Sequence, residues 1–110
     1  MKKKKKNEVD DRELKQVIAD FLDQGHVENI ISMFRHEPRY YGWTGELLTD
    51  ERFSVRLGIS VLFEELVKTE GDNPSLAILS LIEVLESEAP LFRGEAVSLL
   101  GTIGTETALS

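Results

Sequence analysis

The chain has 110 residues, enough for one domain with a modest core, and 41% hydrophobic with 30% charged residues is a globular balance rather than a disordered one. It has no cysteine, which excludes a disulfide framework and a thiolate metal site. Thirteen Lys and Arg oppose twenty Asp and Glu, but five of those cations are Lys2 to Lys6. The other eight leave the body at −12, which disfavours phosphate backbones, so no nucleic-acid partner is expected.

No apolar run of signal-peptide length follows "MKKKKK", and none approaches the ~18 apolar residues of a membrane span. The expectation is a soluble, cytoplasmic protein with no membrane partner. Residues 1–9 read as a disordered basic tail and residues 10–110 as one helical domain. Only three prolines interrupt a chain rich in Leu, Glu, Ala and Lys, so helix is the expected element throughout.

In "DDRELKQVIADFLDQG", Leu14, Val17, Ile18, Phe21 and Leu22 recur at three- and four-residue steps and mark one face of a helix. Asp10 with Glu13 has capping-box spacing, and Gly25 is placed to end the helix. A second helix is predicted from Val27 to Arg35 with Ile30, Ile31 and Phe34 inward, stopped by Pro38. The next stretch, "RYYGWTGELLTD", has no clean period. "ERFSVRLGISVLFEELVKT" is then a long helical pattern ending before Gly71. Asn73 and Pro74 open "SLAILSLIEVLE", whose apolar residues occupy more than one side and predict neighbours on both flanks. "PLFRGEAVSLLGTIG" follows, and "TETALS" reads as a helix barely begun.

Two of these segments are copies. A shift of 37 residues carries Arg56 to Arg93, Val55 to Phe92, Ile59 to Ala96, Leu62 to Leu99 and Leu66 to Ile103. A common period that preserves both the apolar positions and the polar punctuation marks an internal repeat.

The repeated stretches, "DERFSVRLGISVL" and "EAPLFRGEAVSLLGTIGTETAL", resemble the HEAT-repeat family, in particular its short form related to phycobilin-lyase repeats. Val55-Arg56 matches the family's pair and Phe92-Arg93 is a variant of it. Leu100-Gly101-Thr102-Ile103-Gly104 fits closely, whereas Phe63 to Val67 lacks both glycines. The resemblance covers about Asp50 to Ser110. It implies an all-α fold, a short α-solenoid of antiparallel helix pairs with about two to two and a half HEAT-like repeats. It also implies that Arg56 and Arg93 join acidic turn residues in a ladder, with Asp50 as the acidic member and Ser87 in the corresponding place of the next copy. Gly104 is expected to end its helix in the left-handed conformation, and Gly101 to admit a neighbouring helix closely.

For chemistry the residues offer little. His26 and His36 are not in metal-ligand spacing, and no Gly-x-Ser-x-Gly elbow or phosphate-binding glycine loop occurs. Glu64 and Glu65 diverge by about 100° on a helix and cannot converge on one atom. No catalytic residue, cofactor or metal is therefore assigned.

The remaining feature is "RYYGWTG". Ile31 to Ile82 spans 51 residues rather than 37, so this junction carries extra chain, and insertions in solenoids often bind. Arg39, Tyr40, Tyr41 and Trp43 are residue types that anchor interfaces; equally, the rings can plug the irregular junction. The resemblance further implies a groove lined by second helices of pairs, around Ser80, Glu83 and Ser87. The function expected is a non-catalytic protein-interaction scaffold for a partner with a basic surface. The alternatives are a bilin lyase or isomerase, which the repeat subtype suggests, and a nucleic-acid-binding domain. The C-terminal edge lacks a polar cap, which predicts either a longer array or self-association there.

Overall fold

The computed structural model describes residues 10–109, with side chains described through Gly104. The basic run of residues 1–9 lies outside them. Six α-helices are α1 (Asp11–Asp23), α2 (Val27–His36), α3 (Thr44–Leu48), α4 (Phe53–Thr69), α5 (Ile78–Val84) and α6 (Pro90–Leu109). Two 3-10 turns, Pro38–Trp43 and Asn73–Ala77, lead into α3 and α5. The fold is all-α, and no strand occurs among the described residues.

Local chemistry sets the boundaries. Asp10 accepts a hydrogen bond from the Glu13 amide at 2.9 Å and so caps α1. Gly25 has φ +86° and Gly71 φ +61°, so the turns after α1 and α4 use the left-handed conformation that glycine adopts without strain. Pro38, Pro74 and Pro90 each stand at the start of a helical segment, where the missing N–H has no intrahelical role.

The helices form two layers. In one, α1 packs on α4 and α4 on α6. In the other, the first 3-10 turn packs on the second and α3 packs on α5, with α2 crossing to α4. The extra chain at the junction thus becomes a 3-10 turn plus α3, which extends the second layer.

The 37-residue correspondence holds in the packing. Ile59 and Ala96, Leu62 and Leu99, and Leu66 and Ile103 are all buried. Val55 is fully buried while Phe92 is partly so, as expected for the copy with a helix on only one of its sides. The clinching detail is polar: Arg56 Nη1 donates to the Asp50 carbonyl at 2.8 Å, and Arg93 Nη1 donates to the Ser87 carbonyl at 2.6 Å. Each arginine clasps the carbonyl six residues before it, closing the turn ahead of its own helix.

Three expectations are corrected and a fourth is refined. Gly104 does not end a helix: α6 runs through it to Leu109, because glycine permits the left-handed conformation without imposing it. Residues 105–109 therefore continue α6 rather than begin another helix. Gly101 admits no neighbour among the described residues, none of which a Cβ there would meet within 4 Å. The close approaches are at Gly45, which lies on the Ser80 backbone, and Gly58, which lies on Leu22. Finally, α5 has the neighbours expected on both flanks, α3 and α6, yet the apolar surface of the segment from Ser75 to Glu86 is not fully covered. Ala77, Leu81 and Val84 are buried, whereas Leu76, Leu79 and Ile82 face out.

Candidate functional site

The arginine ladder differs in its members from the expected one. The Asp50 carboxylate is held not by Arg56 but by Arg52, through Nε to Oδ1 at 3.0 Å and Nη2 to Oδ2 at 3.0 Å. Arg52 also reaches Asp20 at 3.0 Å and Asp23 at 3.5 Å, tying the turn before α4 to α1. Arg56 is buried and reaches the other way, with Nε donating to Glu95 of α6 at 3.2 Å. Its guanidinium lies 5.7 Å from the Phe53 ring and 5.8 Å from the Phe92 ring. Charge thus stitches α1 to α4 and α4 to α6. Arg52 was not singled out from the sequence because its counterpart 37 residues on is Ala89.

Two carboxylates in these contacts sit below the usual range. Arg52 hydrogen bonds to Asp50 and lowers its pKa, and Arg35 does the same for Glu70 across α2 and the end of α4. A depressed folded pKa contributes stability above the unfolded value of about 4 and loses it as pH falls through the folded value. Asp50→Asn is therefore expected to flatten the loss of stability below about pH 4. Urea midpoints at neutral and acid pH measure this, and an acid limb identical to that of the parent chain contradicts it.

The junction aromatics divide by burial. Tyr41 is fully buried, with its ring 5.0 Å from Phe34 and 5.9 Å from Phe63 in edge-on contacts. Burial pushes its hydroxyl up to about 12, helped by the nearby Glu70. The hydroxyls of Tyr41 and Thr44 have no hydrogen-bond partner among the described residues. Tyr40 and Trp43 are half-buried and 5.0 Å apart. Arg39 lies 5.2 Å from the first ring and 5.0 Å from the second, and Lys15 of α1 lies 5.1 Å from Trp43. Both cations are matched by carboxylates, Lys15 by Glu46 at 2.8 Å and Arg39 by Asp11 and Glu37 at 3.5 Å. Tyr41 plugs the junction, while Arg39, Tyr40 and Trp43 form a part-exposed cluster whose cation–π contacts hold α1 to the first 3-10 turn.

The structure treats Ser80, Glu83 and Ser87 differently. Ser80 Oγ accepts from the Gly45 amide at 3.0 Å and donates to the Ala77 carbonyl at 3.0 Å, so it fastens α5 to α3 and does not line a groove. Ser87 Oγ accepts from the Ala89 amide at 3.1 Å and belongs to the turn before α6. Glu83 is exposed on the outer side of α5.

Beside Glu83 the sequence reading missed the larger feature. Leu76, Leu79 and Ile82 are 52%, 78% and 45% exposed and form an apolar ridge along the second 3-10 turn and α5. Leu79 and Glu83 are four residues apart on one helix face. Glu86 and Glu88, also exposed, continue the acidic edge. The apolar run was readable; its exposure was not, because that depends on whether a neighbour stacks there.

Elsewhere, a groove of about 380 Å³ between α2 and α4 has Val27, Ile31 and Val61 as its floor, with carboxylates and the cations Arg35 and Lys68 mixed along its rim. Among the described residues no group of three His, Asp or Glu is placed to hold a metal ion, and no helix is long and apolar enough to cross a membrane. His26 packs edge-on against Phe21 at 5.6 Å, and His36 Nδ1 donates to the Ser32 carbonyl at 2.9 Å. No protein-family model, curated protein or solved structure matches this chain.

Proposed function

We propose that this chain is a non-catalytic interaction scaffold of HEAT-like type, and that the outer side of α5 receives an amphipathic helix with a basic flank from another protein. The observation that carries this reading is the exposed ridge of Leu76, Leu79 and Ile82 beside Glu83 and Glu86. Contiguous apolar surface edged by charge is the usual mark of a recognition site, and an amphipathic helix seats its apolar face in such a place. The apolar residues supply the anchoring energy, and the carboxylates accelerate encounter and select against acidic partners.

A photo-crosslinking residue at position 79, compared with one at position 64 on α4, tests the reading. Capture of a lysine- or arginine-rich segment from position 79 alone supports it. Leu79→Glu is expected to weaken that complex by at least about tenfold. Because Leu79 is largely exposed, helix content and Tm should hold. Equal capture at both positions, or capture of acidic segments, contradicts the proposal.

A further inference from the structure

We propose that two copies of this chain pair through the outer face of α6, around Val97. The face lies apart from the α5 ridge and does not depend on its role.

The repeat makes the case. In α4, Arg56 and Ser60 are positions that meet α6, the first through its bond to Glu95 and the second in a shared depression with Leu91, Gly94 and Ser98. Their counterparts one repeat later are Arg93 and Val97. Arg93 clasps its turn carbonyl as Arg56 does, but among the described residues it has no ion pair to match the one between Arg56 and Glu95. Val97 is 58% exposed. The helix carries the equipment of a stacked repeat, with no helix on that side among the described residues.

Charge identifies the occupant. The exposed described positions along the middle of α6 are Leu91, Gly94, Val97, Ser98, Gly101 and Gly104, none of them charged. On a body of −12, this is where two like-charged copies can approach with least repulsion. A basic partner would gain nothing from a neutral face. Gly94, Gly101 and Gly104 add a steric argument. A Cβ at any of them meets nothing within 4 Å among the described residues, which therefore give no packing return for the helix penalty of glycine. Small residues let a second helix come close.

The opposite end selects the symmetry. The exposed side of α1 carries Asp11, Arg12, Glu13, Gln16 and Asp23. Head-to-tail stacking would strip water from these charges against an uncharged helix. Pairing α6 with α6 avoids that burial and closes as a two-fold dimer rather than a filament.

Sedimentation of the full chain from about 1 to about 300 µM tests this, with a reversible monomer–dimer equilibrium expected. Val97→Glu should weaken it by at least about tenfold with helix content intact. Gly101→Ala separates pairing from folding: diluted to monomer, it should raise Tm by roughly 4 °C while weakening the dimer. The native chain has no cysteine, so single-cysteine variants at Val97, Ser98 and Gly101 map the axis, and at least one should form a disulfide-linked pair. A strict monomer at the highest concentration, a dimer indifferent to Val97→Glu, or crosslinking between Val97→Cys and Gln16→Cys chains instead of like with like would overturn the proposal.

Discussion

Replacing Gly45 by alanine is expected to destabilise the fold by about 3 kcal/mol and to lower Tm by more than roughly 12 °C. Gly45 is buried in α3, and a Cβ built there lies 2.7 Å from the Ser80 carbonyl carbon and closer still to its oxygen. These are backbone atoms of α5, so no rotamer change relieves the contact. The helices must separate, and separation also breaks the Gly45 amide to Ser80 Oγ bond that fastens them. Ser80→Ala removes that bond without the clash and should cost about 1 kcal/mol. Urea denaturation of the two variants compares the terms. If Gly45→Ala is no worse than Ser80→Ala, the close approach of α3 and α5 is disproved.

The second large effect belongs to Arg56. Arg56→Ala should lose about 2–3 kcal/mol, because it removes the donor to the Asp50 carbonyl, the partner of Glu95 and the filling between Phe53 and Phe92. Arg93→Ala makes the same cut one repeat later, measured on dilute monomer. There a single carbonyl bond is lost, and the expected effect is about 1 kcal/mol. The ratio is more informative than either value: equal losses would mean that the bridge from α4 to α6 contributes nothing. Arg56→Lys is a poor rescue, since an ammonium cannot span a carbonyl and a carboxylate in the guanidinium plane.

These two sites show what was legible in the sequence. The register of the repeat was, because it is written in residues that do the same thing twice: Arg56 and Arg93, Ile59 and Ala96, Leu62 and Leu99. The start and stop of α1 were also legible in Asp10 and Gly25. Glycine roles were not. Gly45 and Gly58 are needed for what lies opposite them, and nothing adjacent in the chain names Ser80 or Leu22. Gly101 and Gly104 sit in a suggestive motif yet face open space. The candidate surface was half legible. Glu83 is legible as a surface-lining residue, but the apolar run around it implies neighbours on both flanks, and only packing shows that α3 and α6 leave Leu79 and Ile82 exposed. Ser80 was misread for a related reason: its hydroxyl serves a backbone amide 35 residues away.

The two layers are made of unequal material. On one side stand helices of 13, 17 and 20 residues, whereas much of the other consists of two 3-10 turns, a five-residue α3 and a seven-residue α5. Short pieces with poorer hydrogen-bond geometry hold their amide protons less tightly than long helices do. Solvent deuterium should therefore enter α3, α5 and the 3-10 turns before them long before it reaches the middle of α4, and the Leu79 ridge rides on the half that opens first. A ligand seated there would be recognised as much by slowed isotope uptake in its support as by the contacts it makes.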